Sequence, residues 1–370
     1  MNASLSISSY IVPFLSALVL SVFLTVAVRA LARRAKIMDY PSVDSGRRIH
    51  TTPVPLLGGV AVFLSFSIIL AAYTFFSHRI LGGYVLPKYL IGITIGGLFI
   101  MIGGVLDDRF HLSAKKQIIW PALAAFTIIA SGIGVTYIQN PFGGTIRLEQ
   151  LSITLFSLNG LPYHLVIFAD LFTFVWLMGM MYTTKFLDGL DGLVSGVTAI
   201  GSIVLFFLSL GREVAQPETA LLTAILAGAA LGFLFFNFHP AKVFLGEGGS
   251  LWTGFIFGTL AIMSGAKVAT ALLIFGIPIL DVGWVIIRRL FQRKSVIQSD
   301  RQHLHFRLLD AGLSHRQAVL FLYLVTGAFG VAGLFFHGRE KFISLLALFG
   351  LMLILGGVLV LAYKKRRDTT

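Results

Sequence analysis

The sequence predicts an all-α polytopic membrane protein, and two features predict it. Of 370 residues, 56% are hydrophobic and only 12% charged, against about 25% charged in a soluble globular domain. Apolar stretches also recur from end to end with no long polar segment between them, which predicts one domain over residues 1–370.

A spanning helix needs about 20 mostly apolar residues. Eleven segments qualify, near 9–31, 55–76, 89–106, 117–137, 164–183, 190–210, 219–238, 250–264, 268–287, 318–336 and 342–363. With the N-terminus outside and the C-terminus inside, the inner loops carry 22 of the 29 Lys and Arg residues. The opposite orientation would invert the bias toward positive cytoplasmic loops. Met1 to Tyr10 has no basic residue, whereas Arg29, Arg33, Arg34 and Lys36 follow the first apolar stretch, the reverse of a cleavable signal peptide. The long outer segment from Ile138 to His164 partly alternates in polarity after Phe142-Gly-Gly144, which predicts a small external β-hairpin. Gly58-Gly59 and Gly103-Gly104 fit close helix packing in lipid.

There is no cysteine, so disulfides and thiolate metal sites are excluded. The net charge of +13 reflects the loop bias, because no basic stretch accompanies a nucleic-acid-binding motif. The chemistry therefore falls to acids, histidines and cations.

Four clusters carry it, all on the predicted inner face. Asp107 and Asp108 end a span, and adjacent carboxylates resist joint ionisation unless a cation or a shared proton intervenes. Alone, the pair also reads as two solvated acids beside Arg109. Lys185-Phe-Leu-Asp188-Gly-Leu-Asp191-Gly places two acids three apart, on one face if the segment is helical. Gly246-Glu247-Gly248-Gly249-Ser250 opens a helix with free N–H groups suited to phosphate, but it lacks the Lys of a Walker A loop. Arg301-Gln-His303-Leu-His305-Phe306-Arg307 combines His and Arg as a phosphate-bearing substrate requires, or else forms a basic surface for lipid headgroups. A fifth element, His50-Thr-Thr-Pro53-Val-Pro55-Leu-Leu-Gly58-Gly59, leads into the second span. Acids for a metal, cations for phosphates and an apolar wall for a lipid are what phosphoryl transfer to a membrane acceptor needs.

In this ordered set, from about Arg47 to Arg316, the chain resembles the polyprenyl-phosphate N-acetylhexosamine-1-phosphate transferases of the WecA/TagO type, related to MraY. The resemblance implies a multi-pass enzyme of the bacterial cytoplasmic (inner) membrane, with its site on the cytoplasmic face and with lipid, substrates and a second copy in a homodimer as its partners. It implies Mg²⁺, with Mn²⁺ as a substitute, UDP-GlcNAc as donor, and undecaprenyl phosphate as acceptor in the first membrane step of a cell-surface glycan. It further implies that Asp107 and Asp108 are catalytic, that Asp107 and Glu247 bind metal, and that Lys185, Asp188, Asp191, Arg301, His303 and His305 bind substrate. The His-x-His-x-Arg form resembles the N-acetylglucosamine type, with UDP-GalNAc as the alternative donor.

Three positions depart from the family pattern, which usually has Asp at 247, Asn at 185 and a second consecutive His at 306. They keep an inactive relative in view. A secondary transporter is the other competing class, and Asp170 and Asp281, which fall within spans, are the residues that would favour it.

Overall fold

The computed structural model describes residues 8–41, 52–77, 79–81, 83–140, 142–158, 161–212, 214–265, 268–293 and 303–367. His50 and Arg301 lie outside the described residues. In hydrocarbon every backbone N–H and C=O must find a partner within its own segment, so apolar runs of this length become helices.

The chain begins with α1 (Ser8–Arg34), and a short antiparallel pair, β1 (Met38–Asp39) with β2 (Val54–Pro55), follows. Next come α2 (Gly58–Ala72), which ends in a π-helical turn at Tyr73–Ser77, and α3 (Pro87–Phe110). After α4 (Ala114–Gln117) and α5 (Ile119–Ser131), the chain forms two antiparallel hairpins. They pair β3 (Tyr137–Gln139) with β4 (Thr145–Arg147) and β5 (Ser152–Leu158) with β6 (Leu161–Val166). The predicted hairpin is there, joined by a second. The rest is helical: α6 (Ile167–Leu187), α7 (Leu193–Leu210), α8 (Pro217–Asn237), α9 (Gly246–Met263), α10 (Val268–Ile274), α11 (Gly276–Phe291), α12 (Leu304–Asp310), α13 (His315–Phe335) and α14 (Gly338–Arg367).

Helices occupy all eleven predicted segments. Among the described residues, eight helices are long and apolar enough to cross a membrane, and the pair α10–α11, bent by 80°, makes nine if read as one span. The other two segments hold α5, of 13 residues, and α9, whose first turn reads Gly-Glu-Gly-Gly. The chain is a multi-pass membrane protein by this measure.

The helix α9 is the axis of the bundle, buried along nearly its whole length against α2, α3 and α6. Its Trp252 is fully buried and meets Phe63 and Phe66 edge-on, with centroids 5.7 and 5.6 Å away. At the Gly246 end of α9 the approach is backbone to backbone. A Cβ on Gly59 would collide with the Gly249 main chain, and one on Gly104 with that of Gly248. Small residues are what permit helices to close to this distance in lipid. The Pro55–Gly59 run is also bonded to the glycine-rich turn: Phe244 N donates to Pro55 O at 2.9 Å, Gly58 N to Phe244 O at 2.9 Å and Gly59 N to Leu245 O at 2.7 Å. The motif leading into the second span is thus the seat of the turn that carries Glu247.

Gly59→Ala is expected to lower the thermal unfolding midpoint of the protein in detergent, by the equivalent of about 1–3 kcal/mol for overpacking. Gly350→Ala, on α14 with nothing within 4 Å of the added methyl, serves as control and leaves the midpoint in place. Equal midpoints for the two variants would contradict the α2–α9 backbone contact.

Candidate active site

The last turn of α3 presents its two carboxylates in different directions. Asp107 Oδ1 accepts from Leu112 N at 2.7 Å and Gln117 Nε2 at 2.9 Å, which closes the turn after His111. Asp108 instead reaches α9, where its Oδ1 accepts from Glu247 N at 3.0 Å. No side chain of the turn itself caps α9. Asp108 does so from another helix, satisfying an N–H left open by helix geometry and lying at the positive end of the dipole. A side chain at Gly246 would strike Asp108 Oδ2, and Gly246 also has φ +74°, so glycine is required there twice over.

Lys185, in the last turn of α6, donates from Nζ to Gln117 Oε1 at 3.0 Å and is ion-paired with Glu247 Oε1. Gln117 therefore links Asp107 to Lys185. The carboxylates of Glu247, Asp107 and Asp188 all act electrostatically on Asp108. Four acids from three distant stretches of chain thus share one half-buried locus with one lysine.

The histidine loop closes on the same place. His303 Nδ1 contacts Asp281 Oδ2 at 2.8 Å, and Leu304 N donates to Asp281 Oδ1 at 2.9 Å, so this buried acid fixes both the ring and the start of α12. The sharp bend before α11 is what brings Asp281 to it. The His303 ring stacks on Phe186 at 5.9 Å and on His305 at 5.6 Å. His305 Nε2 lies where a Cβ of Gly189 would be, so Gly189 makes room for it beside Asp188. Phe306 is buried and packs on His305 at 4.3 Å. That departure from the family pattern fills the loop's interior.

The paired aspartates of the second cluster, Asp188 and Asp191, do not share a helical face. The α6 helix stops at Leu187, Asp188 has φ −75° and ψ 55°, and Gly192 has φ +81°. Asp188 stays with the acid cluster, while Asp191 Oδ2 turns to His239 Nδ1 at 2.7 Å and Ala241 N at 3.0 Å. His239 stacks on His315 at 4.0 Å with planes 15° apart, and Arg316 Nε donates to His239 O at 3.1 Å. Asp191, His239 and His315 offer metal-ligand atoms within 4.8 Å of one another. Rings stacked this way hold their lone pairs in near-parallel planes, which suits a clasp between three loops better than convergence on one ion. Asn237 reinforces the clasp, accepting from Gly192 N at 3.1 Å and Ser195 Oγ at 2.8 Å. Asp170 is a local helix cap, accepting from Val166 N at 2.8 Å.

Sequence reasoning missed Gln117, Asn237, His239 and His315. None sits in a pattern that announces it; each is identified by a partner far away in the chain.

Asp107 Oδ2 and Asp108 Oδ2 accept no hydrogen bond from a described residue. An oxygen-only donor set of grouped carboxylates suits a hard divalent cation such as Mg²⁺. With a basic His loop alongside and apolar helices around it, the site defines a membrane-embedded class of proteins built to handle phosphates.

The comparisons place the chain within that class. The model of Glycosyl transferase family 4 matches residues 90–265. A Bacillus subtilis protein named "Probable undecaprenyl-phosphate N-acetylglucosaminyl 1-phosphate transferase" is 30% identical over 93% of this chain and 90% of its own length. A Mycobacterium tuberculosis decaprenyl-phosphate N-acetylglucosaminephosphotransferase is 31% identical over 96% of this chain and 89% of its own. A Thermotoga maritima undecaprenyl-phosphate alpha-N-acetylglucosaminyl 1-phosphate transferase is 28% identical over 78% of each. The chain belongs to this family of polyprenyl-phosphate N-acetylglucosaminyl-1-phosphate transferases.

Asp281→Ala removes the acceptor for a buried ring and a helix start, a loss of about 1–3 kcal/mol. The expected outcome is a lower unfolding midpoint together with weaker UDP-sugar binding by calorimetry. Wild-type binding in the variant would show that the His303 loop does not contact the nucleotide-sugar.

Proposed function

We propose that the protein transfers N-acetylglucosamine-1-phosphate from UDP-GlcNAc to undecaprenyl phosphate, releasing UMP, at the cytoplasmic face of the bacterial inner membrane. One observation carries this reading: Asp107, Asp108, Asp188, Lys185, Glu247 and the His303–His305 loop meet at the end of the spans where the basic loops gather. A transporter reading needs its charges near the bilayer midplane, and the two intramembrane acids that favoured it, Asp170 and Asp281, serve as a helix cap and a loop anchor.

In the reaction an oxygen of the lipid phosphate forms a bond to the β-phosphorus of the donor. The bond from that phosphorus to the bridging oxygen breaks, and the oxygen leaves with the α-phosphate as UMP. Asp107 and Asp108 orient the lipid phosphate and accept any proton it carries, each with an Oδ2 that accepts no hydrogen bond from a described residue. His303, His305 and Arg301 meet the donor phosphates as hydrogen-bond donors, and Asp188 holds the nucleotide-sugar. Asp191 supports the same end of the site through the His239 clasp. Asp107, with Asp108 and Asp188 beside it, would hold Mg²⁺, and the ion would supply positive charge to the phosphates. Among the described residues, an apolar cavity of about 490 Å³ between α11, α12 and α14, with Asp281 and Arg307 in its lining, suits an isoprenoid tail. A homodimer belongs to this reading as well, and light scattering in detergent reports its mass.

The test is UMP release by purified protein given UDP-GlcNAc, undecaprenyl phosphate and Mg²⁺. Wild-type protein is expected to release UMP only with Mg²⁺ or Mn²⁺ present. Asp107→Asn and Asp108→Asn should each cost about 100-fold or more in kcat, as expected for loss of a group acting in proton transfer or charge stabilisation. Product from UDP-GalNAc alone would reassign the sugar, and no product with any UDP-N-acetylhexosamine would sink the proposal.

A further inference from the structure

The acid cluster carries a cation of its own. Lys185 Nζ is ion-paired with Glu247 Oε1 and donates to Gln117 Oε1 at 3.0 Å, while Gln117 Nε2 holds Asp107 Oδ1 at 2.9 Å. The Tyr182 ring flanks the ammonium at 5.6 Å. The Lys185 and Glu247 side chains are 20% and 17% exposed, so water screens the pair far less than it screens a surface ion pair.

A lysine in this position changes what the cluster does with a metal. It neutralises Glu247, and its charge repels a divalent ion brought within a few ångströms. An ammonium also has three donors, and the contacts with Glu247 and Gln117 use two. Glu247 reaches one methylene farther than Asp would, and that reach is what brings its carboxylate to the lysine. The departures from the family pattern at 185 and 247 are therefore the two halves of one ion pair.

We propose that Lys185 is a built-in cation of the acid cluster. It withdraws Glu247 from the divalent-ion shell, leaves that ion to Asp107, Asp108 and Asp188, and offers its remaining N–H to a phosphate of the nucleotide-sugar. Only the last clause rests on the transferase reading.

The test is metal binding by the purified full-length protein without substrate, using Mn²⁺ followed by electron paramagnetic resonance. Lys185→Met and Lys185→Asn remove the charge and are expected to bind Mn²⁺ about tenfold or more tighter than wild type, whereas Lys185→Arg keeps the charge and wild-type affinity. Thermal unfolding checks that each variant is folded; should the single variants not fold, the Lys185→Asn/Glu247→Asp double variant replaces them with the same expected gain. Wild-type or weaker Mn²⁺ affinity in the charge-removing variants overturns the proposal. In a parallel arm, UMP release by Lys185→Met should saturate at lower Mg²⁺ but with a reduced kcat. Absence of UMP from wild-type protein would defeat the transferase reading while leaving the Mn²⁺ comparison valid, and an unchanged Mn²⁺ affinity beside normal UMP release would reject the lysine's role alone.

Discussion

The site depends on the contact between the start of α9 and its neighbours α2 and α3. Gly59 against Gly249 and Gly104 against Gly248 let three backbones meet at the start of α9. At that distance Asp108 can cap α9 from α3, and the Pro55–Gly59 run can bond to the glycine-rich turn. An unmet N–H at a helix start is costly in a low-dielectric setting, so the cap stabilises the fold while it brings a second acid beside Glu247. Packing and chemistry share one solution here, and a larger side chain at any of the four glycines would disturb both.

Charge then organises what packing has brought together. Grouped carboxylates repel one another unless cations intervene, and each stretch around the cluster contributes to the balance. Lys185 answers Glu247, Gln117 joins Asp107 to Lys185, and the His303–His305 stack stands beside Asp188. The loops that bear these groups are held by anchors set farther back. Asp281 holds His303 and the first N–H of α12, and the Asp191–His239–His315 clasp ties the ends of α6 and α8 to the start of α13. The acids thus divide into two sets, some grouped in the cluster around Asp108 and some spent on holding loops and helix starts.

Much of this was legible in the sequence because membrane helices announce themselves by length and apolarity, and because polar residues at their ends are few. Helices occupy all eleven predicted segments, and Asp107, Asp108, Asp188, Glu247, His303 and His305 gather at one end of the bundle. What was not legible depends on partners remote in the chain. The two aspartates three apart looked like one helical face, but Gly189 and Gly192 end the helix, and Asp191 finds His239, 48 positions away. Gln117 is an ordinary residue after two lysines until Lys185, 68 positions on, meets it. Phe306, where the family pattern has a second His, is a buried ring packed on His305. The charge that Lys185 brings could be expected to pair with Glu247 or with a phosphate, and the contact shows the pairing with Glu247.

The central claim is that distant stretches of chain form one pocket on a single side of the bilayer, and the absence of cysteine allows a direct measurement. Single cysteines at the exposed positions His111, Lys242 and Gly312 would be challenged with a membrane-impermeant maleimide in intact cells and in inverted vesicles, beside cysteines at Tyr84 and Phe142 on the opposite ends of the helices. The account predicts that the first three react only in inverted vesicles and the last two only in intact cells. Labelling of His111→Cys, Lys242→Cys or Gly312→Cys from the same side as Phe142→Cys would divide the acids between the two faces and contradict it.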